Sequence, residues 1–211
     1  MSKGIFITFE GSEGCGKSTH ISLLKEYLTT LGYDCICTRE PGGSPLSEKI
    51  RDLLLFAKEG STMCSRTEIL LFEAARSQHV AETILPALQS GKIVLCDRFY
   101  DSTTAYQGAA RNIDADSVNW LNNFATNSLK PDITVVLDLP VEEGLRRANK
   151  RDSNNADRMG SQSNLFYERV RDSFLALAKQ NPDRFVVVSA QGTKEETFAK
   201  IKECVDKKLK K

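Results

Sequence analysis

The chain lacks a zinc pattern, a membrane-spanning run and an excess of charge. Its six cysteines, Cys15, Cys35, Cys37, Cys64, Cys96 and Cys204, form no C-x-x-C pair and do not cluster with the two histidines. That scatter argues against a structural zinc site. Reduced, buried thiols are expected instead, with Cys35 and Cys37 on one face of a strand. No apolar run approaches the roughly 18 residues that a membrane span needs. No signal-peptide core precedes the first strand pattern, so a cytoplasmic location is expected. Lys and Arg number 29 and Asp and Glu 28, leaving a net charge of +1. A field that weak recruits neither nucleic acid nor an anionic membrane, so any anion site must be built locally. Repeats, linkers and low-complexity segments are missing too. What remains is 211 residues, enough to bury a sizeable core in one expected domain, 1–211.

Five short apolar runs predict strands at 5–10, 34–40, 92–97, 132–138 and 184–190. Helical spacing lies between them. Ile21, Leu24, Leu28 and Leu31 predict a helix that Gly32 closes. Leu46, Ile50, Leu53 and Leu54 predict another at 45–58. Ile69, Leu70, Ala74, Val80, Ile84 and Leu88 predict a long one at about 66–89, which Gly91 stops. Further helices are predicted at 114–127, from Val141, at 164–180 and from Thr193, where Glu196 completes a capping box. Apolar strands alternating with helices mean an α/β fold with a parallel sheet covered on both faces. The polar stretch "KRDSNNADRMGSQS" at 150–163 has no such pattern.

Chemistry gathers at a few places. "GSEGCGKST" (11–19) fits the phosphate-cradling pattern G-x-x-x-x-G-K-[ST], with an apolar strand before it and an amphipathic helix after it. Its glycines let the backbone present N–H groups to an anion, and the helix N-terminus adds partial positive charge. Lys17 should reach the β- and γ-phosphates and Ser18 should place a hydroxyl on Mg²⁺. Cys15 reads as a small filler. Asp97 and Arg98 end a strand, where open α/β sheets bind ligands; they suit a metal-held water and a phosphate, or a plain ion pair. "TREPGG" (38–43) offers Arg39 beside Glu40, again a site or an ion pair. Phe72 and Arg76 share one helix face, fit for a planar base or for core packing. Lys150, Arg151 and Arg158, after Arg146 and Arg147, are a solvated face or a lid that brings cations to a transferring phosphoryl group. Gly14 carries no charge, so such cations must come from outside the loop.

Taken together, "TREPGG", "LLFEAARSQH", "DRFYDSTTAYQG" and the phosphate loop resemble the thymidylate kinase family, in its order and spacing, along essentially the whole chain. The resemblance implies a P-loop NTPase fold, nucleoside monophosphate kinase-like, with five parallel strands in the order 2-3-1-4-5. It implies transfer of a phosphoryl group from ATP to dTMP, with Mg²⁺, in a cytoplasmic homodimer that needs neither nucleic acid nor membrane. ATP would then lie on Gly11, Ser12, Glu13, Gly14, Cys15, Gly16, Lys17, Ser18 and Thr19. By position, Arg39, Arg51 and Arg98 fall to the dTMP phosphate side, Pro41 joins the dTMP-binding set, and Glu13 lies beside the sugar 3′-OH and the metal. Phe72 stacks on thymine, Arg76 bonds its O4, and Thr103 and Gln107 sit by the base edge. Tyr106 crowds the ribose 2′ position. Ser18, Glu13 and Asp97 surround Mg²⁺, partly through water. Lys17, Arg98, Glu13, Arg151 and Arg158 form the expected catalytic set. Gly14 stands where another branch of the family has an arginine, which assigns the catalytic cations to the lid. That lid departs from the family's D-R-x-E or D-R-x-D: here "DRMG" puts Gly160 at the acidic place.

Two rivals carry their own signals. A nucleoside kinase would need a base for its 5′-OH and would not need Arg98 with Arg39. A GTPase would need N-K-x-D after a strand, whereas "NKRD" at 149–152 continues a helix.

Overall fold

A computed structural model describes residues 4–56, 62–151 and 162–209. Strands β1 (Ile5–Glu10), β2 (Cys35–Arg39), β3 (Ile93–Asp97), β4 (Ile133–Asp138) and β5 (Phe185–Ser189) form one sheet in the order β2-β3-β1-β4-β5. Every neighbouring pair is parallel, with Ile5 opposite Ile93 and Ile7 opposite Ile133. Apolar runs became strands because the central ones are covered on both faces. Within β1, Ile7 and Phe9 pack against Leu24 and Leu28 of α1 (Lys17–Thr30) and Ile201 and Val205 of α9 (Lys194–Leu209). Phe6, one residue out of phase, packs on the opposite face with Val94 and Cys96. Further along that face, Val136 and Phe185 meet Val170 and Phe174 of α8 (Asn164–Gln180).

Local chemistry fixes the helix ends. Thr193 N donates to Glu196 Oε2 at 2.8 Å and Glu196 N to Thr193 Oγ1 at 3.2 Å, the capping box expected there. Gly32, at φ 86°, follows α1 and donates to the Thr29 carbonyl at 3.0 Å. Asp114 caps α6 (Ala115–Thr126) through Ser117 N. Among the described residues no helix is long and apolar enough to cross a membrane.

Several expectations need correction. The helix at 66–89 is α3 (Ser65–His79), a π-helical turn Val80–Ile84 and α4 (Leu85–Gln89). Leu85 N reaches back five residues to the Val80 carbonyl, and Pro86 has no N–H to continue an ordinary ladder. Leu70 and Ala74 face outward, whereas Glu68, Glu73 and Arg76 are buried. Leu46 and Leu53 of α2 (Pro45–Phe56) are exposed, as is Leu31; Ser47 and Leu54 turn inward. Cys37 is exposed and Cys35 half-buried, because β2 is a sheet edge; Cys64, at the start of α3, is exposed too, and Cys15 and Cys96 are buried as expected. Residues 100–110, given no helix by periodicity, form α5 (Tyr100–Thr103) and a π-helical turn Thr104–Ala110. Chain polarity carries the loops after β1, β2 and β3 to one edge of the sheet, where α3 and the second π-helical turn wall a cleft.

Candidate active site

The cleft measures about 390 Å³, a size that holds a small ligand. Its floor is the phosphate loop. Gly11, Gly14 and Gly16 all have positive φ, so the loop needs glycine at each. A Cβ on Gly14 would collide with the Gly144 carbonyl oxygen of α7 (Val141–Arg151), and one on Gly144 with the Glu13 carbonyl oxygen. Loop and helix therefore touch backbone to backbone, and no arginine fits at 14. Lys17 is buried and donates to the carbonyls of Gly11 at 3.2 Å and Ser12 at 3.0 Å. Cys15 packs beneath, its thiol on the Ser12 carbonyl, which is a filler's place. Ser18 Oγ donates to Asp97 Oδ2 at 2.7 Å.

Arg98 follows β3 at φ 70°, a left-handed conformation unusual for arginine. Local partners offset that strain: its N–H meets the Phe9 carbonyl, its own carbonyl accepts from Cys96 Sγ, and the guanidinium lies 4.9 Å over the Tyr106 ring. Nη1 donates to Gly11 O and Ser102 Oγ, and Nη2 to Glu13 Oε1 at 2.8 Å. Tyr106 also donates to Glu13 Oε1, at 3.1 Å. A simple Asp97–Arg98 ion pair is thereby overturned: Asp97 serves Ser18, and Arg98 serves the loop. Burial opposes the Arg98 charge, but Tyr106, Glu13, Asp97 and Glu10 outweigh it and hold its pKa well above the ordinary value. Behind Arg98, Glu10 is fully buried and accepts from Phe99 N at 2.8 Å and Ser102 Oγ at 2.6 Å. Burial, helped by Asp101, pushes this carboxyl up to about 8 against the pull of Arg98, Ser102 and Phe99 N.

The opposite wall is α3. Phe72 is partly buried beside the cleft, and Arg76 lies four residues on. Arg76 is 2% exposed and tightly held: Nε donates to Glu40 Oε2 at 2.7 Å, Nη1 to Glu73 and Thr103, Nη2 to the Phe99 carbonyl. Burial disfavours its charge, yet Glu40 and Glu73 raise its pKa. Glu40 also meets His79 Nδ1 at 3.0 Å. Arg39 instead pairs with Glu48 at 2.9 Å, so Arg39 and Glu40 are not an ion pair. A Cβ on Gly42 would collide with the Glu48 side chain, and one on Gly43 with His79 and Thr38, so both positions need glycine. Arg51 donates to the Pro41 carbonyl at 2.7 Å.

The Thymidylate kinase family model matches residues 9–201. The thymidylate kinase of Geobacter sulfurreducens is 50% identical over 92% of each chain, and that of Geotalea uraniireducens 48% identical over 94% of each. The crystal structure of thymidylate kinase from Ehrlichia chaffeensis, 35% identical, superposes with a TM-score of 0.79 over 96% of this chain and 99% of that one. The chain belongs to the thymidylate kinase family. Its fold is that of P-loop NTPases, and it is a phosphotransferase.

Of the residues expected in a thymidylate kinase site, Glu13, Gly14, Gly16, Lys17, Ser18 and Thr19 line the cleft on the loop side. Arg39, Pro41, Arg51, Phe72, Arg76, Asp97, Arg98, Thr103, Tyr106 and Gln107 line the rest. Gly11, Ser12 and Cys15 form the loop's underside and do not. Arg151 is the last residue of α7, while Arg158 and Gly160 lie outside the described residues. Arg146 and Arg147 pair with Glu143, and Asn149 to Arg151 are helical, which removes the N-K-x-D alternative. Sequence reasoning missed Glu10, Ser102, Leu55 and Phe99. Glu10 had a signal: one carboxylate closes an otherwise apolar strand directly before Gly11.

Proposed function

We propose that this cleft carries out the family reaction, ATP + dTMP to ADP + dTDP, with the donor on the phosphate loop and the acceptor between Arg98 and α3. The observation that carries the reading is Glu13. It belongs to the donor's loop, yet its carboxylate binds Arg98 and Tyr106 of the acceptor wall. One carboxylate thus sets the distance between the two halves.

The acceptor phosphate is already an anionic nucleophile, so no side chain needs to form a covalent intermediate. The work is to align two polyanions and offset their repulsion. Lys17 and the loop N–H groups hold the donor phosphates. Arg98, with Arg39 and Arg51 nearby, holds the acceptor phosphate. Phe72 stacks on the base, and Arg76 and Thr103 meet its edge. Residues 150–163 form the lid in this reading, and Arg151 and Arg158 bring it the charge that Gly14 cannot supply.

Ser18 Oγ and Asp97, 2.7 Å apart, are oxygen donors suited to Mg²⁺. The described residues hold no group of three or more His, Cys, Asp or Glu placed for a metal, and Mg²⁺ needs none, since one or two protein groups and substrate phosphates suffice. Bound there, it would neutralise phosphate charge. Glu13 Oε1 is turned to Arg98 and Tyr106, so Glu13 belongs more to the acceptor side. A cytoplasmic homodimer is part of the same reading. Leu70 on α3 is 54% exposed, and Trp120 and Phe124 of α6 stack at 5.3 Å on the surface; α3 and α6 pack side by side, and these residues supply the self-association face in this reading.

The test is ADP release measured across dTMP, dUMP, UMP, CMP, AMP, GMP and thymidine. Preference for dTMP is expected. Preference for any other acceptor overturns the assignment.

A further inference from the structure

Glu68 stands four residues before Phe72 and eight before Arg76, so all three share one face of α3. Phe72 and Arg76 line the cleft, while Glu68 lies 1% exposed beside it. Its Oε1 accepts from Gln107 Nε2 at 2.8 Å. Arg111 is its counter-ion, with Nε and Nη2 each 3.4 Å from the carboxylate and the guanidinium 5.0 Å over the Phe166 ring. A buried carboxylate needs such a partner.

The orientation of Gln107 follows from donor chemistry. A carboxylate only accepts, so the amide must turn Nε2 toward Glu68. The other end, Oε1, is an acceptor. It has no hydrogen-bond partner among the described residues, and Gln107 lines the cleft. Arg76 has only donors. This wall therefore offers one acceptor and one set of donors. A pyrimidine with N3–H beside a 4-carbonyl matches both. A 4-aminopyrimidine has a bare N3 beside an NH₂ group and mismatches both. Arg76 cannot invert its polarity. An unrestrained glutamine amide could, by a simple flip.

We propose that Glu68 is a specificity-determining positioning residue, which locks the Gln107 amide with its carbonyl toward the base and so makes the cleft reject aminopyrimidine nucleotides. The proposal rests on the reading that the acceptor base lies against α3. Arg111 keeps the lock in place by pairing with Glu68 across two elements of the wall.

Glu68→Gln tests it, because a neutral amide can donate as well as accept and so releases the flip. Steady-state kcat/KM is measured for dTMP, dUMP and dCMP, with KM for ATP as a control on the loop. The dTMP/dCMP ratio should fall at least about tenfold, the scale of one polar mismatch in a desolvated site. The dTMP/dUMP ratio should hold, since both bases carry N3–H and a 4-carbonyl. Equal losses on dTMP and dCMP would reduce Glu68 to a structural residue and overturn the proposal. If Glu68→Gln does not fold, Gln107→Met with Glu68 intact reads the same ratio, and an unchanged ratio there overturns it too. If the unaltered protein does not prefer dTMP to dCMP, the base reading falls and the proposal with it. If that preference holds but neither variant moves the ratio, the Glu68–Gln107 lock falls and the base reading stands.

Discussion

Replacing Glu10 by glutamine should change how stability depends on pH. The folded carboxyl titrates at about 8, against 4.5 for an ordinary glutamate, because it is buried beside Asp101. Between those two values the folded protein carries a proton that the unfolded chain has lost. Stability contributed by this group is therefore full below 4.5 and falls as pH rises through 8. At about 1.4 kcal/mol for each pH unit of that interval, the loss reaches a few kcal/mol. Glutamine keeps the shape and does not ionise. Its NH₂ group cannot accept, whereas the hydroxyl of the protonated carboxyl can both donate and accept beside Phe99 N and Ser102 Oγ, which costs about 1 kcal/mol. The slope, and not this offset, is the test. His20 pulls the other way, since burial lowers its pKa, but it is common to both proteins and cancels in the difference. Urea unfolding followed by circular dichroism at pH 5, 6, 7 and 8 gives the two curves. The unaltered protein should be the more stable at pH 5 and lose that advantage toward pH 8. Parallel curves would mean that Glu10 does not hold a proton in the folded state.

Gly14→Ala should lower kcat/KM for ATP by more than tenfold, because the loop must move off Gly144 and φ 67° costs a side chain about 1–2 kcal/mol; unchanged ATP kinetics would show that the contact yields freely. Phe72→Ala should raise the Kd for dTMP and leave ATP binding alone, as titration calorimetry can show; equal losses would indicate a folding defect. Arg158→Ala should reduce kcat more than tenfold at nearly constant dTMP affinity, and unchanged turnover would remove it from the catalytic set. Tyr106→Leu, which keeps apolar volume between Phe166 and Phe174, should relax discrimination against the ribonucleotide analogue of dTMP; a preserved preference would refute the steric role of the ring.

The five strands and the phosphate loop were legible because their signals are local: continuous apolar runs, a glycine spacing, a helix that follows. The strand order came from family resemblance and not from periodicity. Cysteine burial went wrong at Cys37 for a related reason, since only the order puts β2 at an edge. The wall of the cleft was half legible. Phe72 and Arg76 follow from helical spacing. The inward turn of Glu68 and Glu73 does not, because their partners come from distant segments: Gln107 and Arg111 for one, and for the other Arg76, itself fixed by Glu40 and Phe99. Charged groups buried in place of Leu70 break the ordinary amphipathic rule where the site is built. The π-helical turn at Thr104–Ala110 was unreadable for another reason. Its bonds reach back five residues, as Arg111 N does to the Tyr106 carbonyl at 3.1 Å, a spacing no apolar stripe advertises.

The meeting of Gly14 and Gly144 also constrains how such a protein can change. A side chain at 14 meets the 144 carbonyl and one at 144 meets the Glu13 carbonyl, so both positions depend on the same approach of loop to helix and are coupled rather than independent. On the proposal that residues 150–163 bring the catalytic charge, a lineage that moved it to the loop could not do so in one step at 14. Displacing α7, which ends at Arg151, would have to come first. The order of substitutions is thus set by two backbone carbonyl oxygens: an arginine at 14 needs the helix to make room for it first.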